Sequence, residues 1–131
     1  MWEKMTNQIS ELTALVVDDD IAIANVLVRI LNREAIKADI LLTTGEGLER
    51  LDTTPYNLVF TDLNQVPDGT QVYQKAIEKG SKAFIMTGGT PTEGLMERAM
   101  QIAGDDLIMK PFTVNEILDR IRMYKSEFQE N

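Results

Sequence analysis

The chain has 131 residues, 44% of them hydrophobic, which suits one domain with a buried core. Its formal net charge of −8 would repel phosphate backbones, so a nucleic-acid surface is excluded, and no apolar run approaches the ~20 residues that span a bilayer. Cysteine and histidine are both absent, which removes disulfides, thiolate zinc, Ser-His-Asp triads and histidine phosphocarriers. Any metal would therefore take oxygen ligands, which favours magnesium, manganese or calcium. The opening MWEKMTNQIS is too polar for a secretory signal, so the expected setting is the cytoplasm.

In chain order, residues 1–11 read as a short or frayed N-terminal extension; the sharper alternative is a partner-docking helix, for which Trp2, Met5 and Ile9, with Leu12 just after, would form the stripe. TALVV (13–17) reads as a first strand. A helix follows, with Ile23, Ala24, Leu27, Ile30 and Leu31 at helical spacing. IKADILL (36–42) is a second strand, and TGEGLERL (44–51) a short helix weakened by its glycines. After the turn signal TTPY, NLVFTD (57–62) is a third strand. VPDG reads as a turn, and TQVYQKAIEKG as a helix stopped by Gly80. KAFIMT (82–87) is a fourth strand. The next helix, PTEGLMERAMQIAG, places Leu95, Met96, Ala99, Ile102 and Ala103 on one face. DLIMK (106–110) is a fifth strand, and TVNEILDRIRMY (113–124) a last helix with Val114, Ile117, Leu118 and Ile121 inward. The domain is expected over 12–126, with a tail at 127–131. Strands and helices alternate and the strands are apolar throughout. This implies an α/β, doubly wound, three-layer parallel sheet.

In such a sheet, ligands bind outside the C-terminal strand ends, where the strand order reverses. Asp18 and Asp19 end the first strand, Asp62 the third, Thr87 the fourth (followed by Gly88 and Gly89) and Lys110 the fifth. In the order 2-1-3-4-5, three carboxylates, a hydroxyl and an ammonium converge on one rim. Two carboxylates ~4 Å apart cost ~4 kcal/mol at an effective dielectric of 20, so the cluster calls for a cation. A small hard ion that keeps several waters, Mg²⁺, suits it. Metal, ammonium and hydroxyl together resemble a phosphoryl-transfer site, and without His or Cys the nucleophile would be a carboxylate. Taken singly, each residue has an ordinary structural role. The three aspartates could favour a helix N-terminus, and Asp20 best fits its N-cap. Asp62 could open a turn, and Lys110 could be a solvated charge.

The segments ALVVDDD, LVFTDLN, AFIMTGG and LIMKPF, in that order, resemble those of a response-regulator receiver domain, over roughly residues 12–125. The resemblance implies a flavodoxin-like (βα)₅ fold in a two-component phosphorelay. Asp62 would accept a phosphoryl group from a histidine kinase or phosphotransfer protein. Asp19 would bind Mg²⁺ directly and Asp18 would support the ion, with Asp62 and the Asn64 backbone carbonyl completing the protein ligands. The Asn64 side chain would face the phosphoryl group, with Thr87, the Gly88 N–H and Lys110 contacting its oxygens. Lys110–Pro111 would be a cis peptide. Self-phosphorylation and autodephosphorylation would be the only catalysis. After the last helix, KSEFQEN would lead into no output domain, unless the chain is a fragment of something longer. The expected output is therefore a conformational change read by a downstream protein, a homodimer through the face of the fourth helix, fifth strand and fifth helix, or onward phosphotransfer.

The sequence departs from the family pattern in four places. Leu107 replaces the usual aromatic ahead of the lysine, and Gly88 stands where alanine is common. Pro67 falls later, and Gly69 earlier, than in the usual loop after the phosphoacceptor. The stretch from Asp62 to Thr87 is short by about a turn of helix, which predicts a trimmed or irregular third-helix region. Two alternatives stay open. One is a non-switching pseudo-receiver that serves as an interaction module. The other is a Mg²⁺-dependent phosphohydrolase, which Asn64 disfavours because that class needs an acidic residue there.

Overall fold

The computed structural model describes residues 11–130, in which strands and helices alternate as the sequence predicts. The strands are β1 (Leu12–Val17), β2 (Ile36–Leu41), β3 (Leu58–Asp62), β4 (Lys82–Thr87) and β5 (Leu107–Met109). The helices are α1 (Ile21–Arg33), α2 (Thr44–Thr53), α3 (Gly69–Glu78), α4 (Leu95–Ala103) and α5 (Val114–Glu130), and a 3-10 turn, Gly104–Asp106, leads into β5. All strands pair in parallel, in the order β2-β1-β3-β4-β5.

Successive strand side chains point to opposite faces of the sheet, and here both faces are covered. Ala14, Val16, Leu58, Phe60, Phe84 and Met86 pack with Leu27 and Leu31 of α1 and Ile117 and Ile121 of α5. Leu15, Val17, Val59, Ala83 and Ile85 pack with Leu51 of α2, Val72 of α3, and Leu95 and Ala99 of α4. Phe60 and Phe84, partners in the β3–β4 register, stack with ring centroids 5.0 Å apart. Burial on both faces is why these strands read as unbroken apolar runs. Each large side chain so buried contributes about 1.5–3 kcal/mol, which makes the central strands a rigid mount for whatever their ends carry.

Several sequence expectations are corrected. Leu12 is not part of a helical stripe. It is the first residue of β1, pairs with Ile36 and is buried, while Trp2, Met5 and Ile9 lie outside the described residues. Val114 is 45% exposed rather than inward, because Ile117 and Ile121 already meet the sheet and Val114 opens the helix at its outer end. The helical pattern read from Pro91 begins only at Leu95, where Gly94 takes φ +82°, a left-handed conformation that interrupts a helix. Asp106 and Lys110 flank β5 instead of belonging to it. The last helix is longer than expected, running past Tyr124 to Glu130. The third-helix region retains a regular α3. Its irregularity lies in the loop before it, where Val66–Pro67 is cis.

Candidate functional site

The C-terminal ends of β1, β3, β4 and β5 meet at one rim, and backbone hydrogen bonds continue the sheet just past each strand. The Asp18 N–H donates to the Leu41 carbonyl at 3.0 Å, the Leu63 N–H to Met86 at 2.9 Å, and the Lys110 N–H to Thr87 at 2.7 Å. The side chains at the rim are thus carried by the sheet, not by free loops. A cleft of about 480 Å³ opens there, lined by Asp18, Asp19, Asp62, Asn64, Gly88 and Lys110 among others. Carboxylate oxygens of Asp18, Asp19 and Asp62 all lie within 4.8 Å of one another.

The three aspartates of the DDD run divide their work. Asp18 is fully buried. Its Oδ2 accepts from the Lys110 ammonium at 2.8 Å, and its Oδ1 accepts from the Asp20 N–H at 2.9 Å. Asp19 is exposed at the rim. Asp20 caps α1, accepting from the N–H groups of Ala22 at 3.0 Å and Ile23 at 3.3 Å, as N-cap chemistry requires. Asp62, 5% exposed, turns Oδ1 toward Lys110 at 3.5 Å and accepts there from the Asn64 N–H at 3.4 Å.

Burial pushes the Asp18 carboxyl above its ordinary value, with help from the Asp62 charge, and the hydrogen bonds from Lys110 and Asp20 offset this only in part. For Lys110, burial works toward a lower value. The hydrogen bond to Asp18 and the charges of Asp62 and Asp18 outweigh it, so the ammonium is raised and stays protonated. Lys110 is thus paired with Asp18 and Asp62, while the third carboxylate, Asp19, lies within 4.8 Å of theirs. Thr87 adds a second imbalance. It is wholly buried, and its hydroxyl has no hydrogen-bond partner among the described residues. An unpaired buried hydroxyl is costly and marks a place where an acceptor belongs.

Of the site residues expected from the sequence, Asp18, Asp19, Asp62, Asn64, Gly88 and Lys110 line this cleft, and Thr87 lies buried at the end of β4. Asn64 Nδ2 donates to the Gly88 carbonyl at 2.9 Å, tying the β3–α3 loop to the β4–α4 loop. Lys110–Pro111 is cis. A Cβ on Gly88 would sit 3.0 Å from Lys110 Cβ, so glycine lets the lysine stem lie close against the β4 end. Three residues that shape the rim were not read in the sequence as doing so. A Cβ on Gly69 would fall 2.2 Å from the backbone oxygen of Asp62, so α3 begins directly against the backbone of Asp62, and only glycine fits there. The signal was present, since Gly69 follows the N-cap Asp68, but it read as a turn residue. Thr44 and Gln65, which fasten the same loop, carried no pattern that a single sequence exposes.

The family model of the response regulator receiver domain matches residues 14–122. The chain is a response regulator receiver domain. Transcriptional regulatory protein ResD of Bacillus subtilis (strain 168) is 30% identical to it over 118 residues, covering 88% of this chain and 49% of its own length. Transcriptional regulatory protein CutR of Streptomyces coelicolor is 29% identical over 111 residues, covering 82% and 51%. The receiver domain spans about half the length of the curated relatives it matches. Among solved structures, a CheY-like response regulator receiver domain protein from Methanospirillum hungatei JF-1 superposes with a TM-score of 0.77 at 29% identity, covering 92% of this chain and 98% of that one. The receiver fold is thus the flavodoxin-like one, and none of its described helices is long and apolar enough to cross a membrane.

Proposed function

We propose that this receiver domain takes a phosphoryl group onto Asp62 from a histidine kinase or phosphotransfer protein, with Mg²⁺ at the acidic rim. The observation that carries the reading is the pairing of two deficits at one end of the sheet, a cleft where three carboxylates gather beside one ammonium and, at the end of β4, a buried Thr87 hydroxyl with no partner among the described residues. The donor set is all oxygen, which fits a hard divalent ion. Asp18, Asp19, Asp62 and the Asn64 backbone carbonyl would hold it. When bound, Mg²⁺ neutralises charge on phosphoryl oxygens.

The chain's own residues account for the rest. Both contacts of Asp62 run through Oδ1, so Oδ2 is the oxygen presented to the donor. An O–P bond forms to Oδ2 as the donor's N–P bond breaks, and the donor imidazole leaves with the electron pair. The Lys110 ammonium would then pair with a phosphoryl oxygen. The Thr87 hydroxyl and the Gly88 N–H would donate to the others, which would satisfy the orphaned hydroxyl. Asn64 would face the water that later hydrolyses the acyl phosphate. The acquired charge changes what Thr87 and the β4–α4 loop bond to. That change would be read by a protein partner, or by a second copy through the α4–β5–α5 face, where Met100, Met109 and Met123 are exposed. The complete set of carboxylates, hydroxyl and ammonium favours this reading over a non-switching interaction module.

The test is intact mass spectrometry after incubation with acetyl phosphate and Mg²⁺. A labile gain of one phosphoryl group is expected in the wild type and none in Asp62→Asn. A wild type that takes no label from any donor would refute the reading.

A further inference from the structure

The loop from Asn64 to Asp68 must present the Asn64 carbonyl and side chain at the rim, yet little packing holds it. Val66 at its tip is 98% exposed. Within the loop, the N–H groups of Gln65 and Gly69 both donate to the Leu63 carbonyl, at 3.0 and 3.1 Å. This closes the loop on itself without anchoring it to the sheet. Asn64 and Asp68 tie it to the β4–α4 loop and to Arg98 of α4, and a further anchor, the one that grips Gln65 and Pro67 between them, comes from the β2–α2 corner. The Gln65 amide reaches across in both directions, accepting from the Thr44 N–H at 2.8 Å and donating to the Leu42 carbonyl at 3.1 Å. The buried Thr44 hydroxyl donates to the Pro67 carbonyl.

Thr44 opens α2, so its N–H is one of the first-turn donors with no partner inside the helix. Gln65, from a distant loop, satisfies it. Gln65 stands next to Asn64, and Pro67 lies two residues before Gly69, which presses on the Asp62 backbone. The clamp therefore grips the loop on both sides of its exposed tip. It does so in the segment where the chain departs from the usual spacing of proline and glycine.

We infer that Gln65 and Thr44 are positioning residues, a polar clamp that holds the Asn64 carbonyl in place for the cation. The inference rests on the proposed metal site. Groups that orient a ligand by hydrogen bonding typically change metal affinity by 10–100-fold when removed.

The test measures Mg²⁺ affinity of the full chain by calorimetry for wild type, Gln65→Met, Thr44→Val and Thr44→Ser, with melting curves in chelator alongside. Gln65→Met keeps the side chain's length and loses both polar atoms. Thr44→Val keeps the shape and loses the hydroxyl. Both are expected to weaken Mg²⁺ binding about tenfold, and Thr44→Ser is expected to restore the affinity. Wild-type affinity in both Gln65→Met and Thr44→Val would overturn the inference, even if their metal-free melting temperatures fall, because that pattern belongs to a merely structural bond. A wild type that binds no Mg²⁺ would overturn it too. If Gln65→Met does not fold, the Thr44→Val and Thr44→Ser pair decides alone. Acetyl phosphate labelling of the wild type, run in parallel, separates the two readings. An unlabelled wild type with weakened variants removes the phosphoacceptor role and leaves the clamp standing. A labelled wild type with unaltered variant affinities does the reverse.

Discussion

The two ends of this sheet use the same pair of side chains, lysine and aspartate, to opposite purposes. At the N-terminal end, Asp106, just before β5, is satisfied on both oxygens. Lys82 at the start of β4 bonds Oδ1 at 2.8 Å, and the Tyr73 hydroxyl of α3 bonds Oδ2 at 2.6 Å. Burial and then Asp106 push the Tyr73 hydroxyl up, so it remains a protonated donor. One carboxylate meets one ammonium and one hydroxyl, and nothing is left over. At the C-terminal end, Lys110 meets Asp18 and Asp62, Asp19 has oxygens within 4.8 Å of theirs, and the Thr87 hydroxyl has no partner among the described residues. The balanced end ties helix to sheet. The unbalanced end is the one where a cation and a phosphoryl group are proposed to bind. Charge balance, more than residue type, is what separates these two clusters.

The sharpest way to break this comparison is to remove the lysine from each end in turn. Lys110→Met leaves Asp18 buried and unpaired, so a loss of about 3 kcal/mol is expected in metal-free denaturation. Lys82→Met removes a half-exposed partner and leaves Tyr73 in place, so its cost should stay within about 1 kcal/mol. Equal losses would mean that the ends do not differ as described. Tyr73→Phe, read in the same titration, should cost about 1 kcal/mol while leaving acetyl phosphate labelling at its wild-type rate. A labelling defect there would show the balanced end to be part of the site.

Smaller and more local is the pH dependence of Asp68, the N-cap of α3, which accepts from Thr70 and pairs with Arg98 at 2.6 Å. Burial works to raise its carboxyl, but the hydrogen bonds from Thr70 and the Arg98 charge outweigh it, and the net shift is downward from 3.8. A carboxyl lowered by folding stabilises the protein above its unfolded value, and that contribution is lost as pH falls through the folded one. Asp68→Asn keeps a good cap and loses the charge. It should cost about 0.5 kcal/mol at neutral pH, with the difference from wild type closing as pH drops below 3.8.

Much of this was legible in the sequence, for a physical reason. Strands buried on both faces leave unbroken apolar runs such as LVF and AFIM, and the polar residue ending each run falls at the rim wherever the order places it. Asp18, Asp62, Thr87 and Lys110 were found that way. Asp20 was legible as a cap because its role is local. What escaped depends on contacts between distant segments. Gln65 reads as a loop residue until α2 is seen to need a donor satisfied. Gly69 reads as a turn until the Asp62 backbone is found against it. Leu12 was misassigned because a strand's first residue, next to a polar segment, fits a helical spacing equally well.

We propose that the C-terminal rim is under-neutralised and is completed by a divalent ion. The most direct measurement is the melting temperature of the wild-type receiver domain with and without Mg²⁺ at fixed ionic strength. The account predicts a higher melting temperature with Mg²⁺, since an ion bound only by the folded state stabilises it. An unchanged melting temperature at saturating Mg²⁺ would contradict the account.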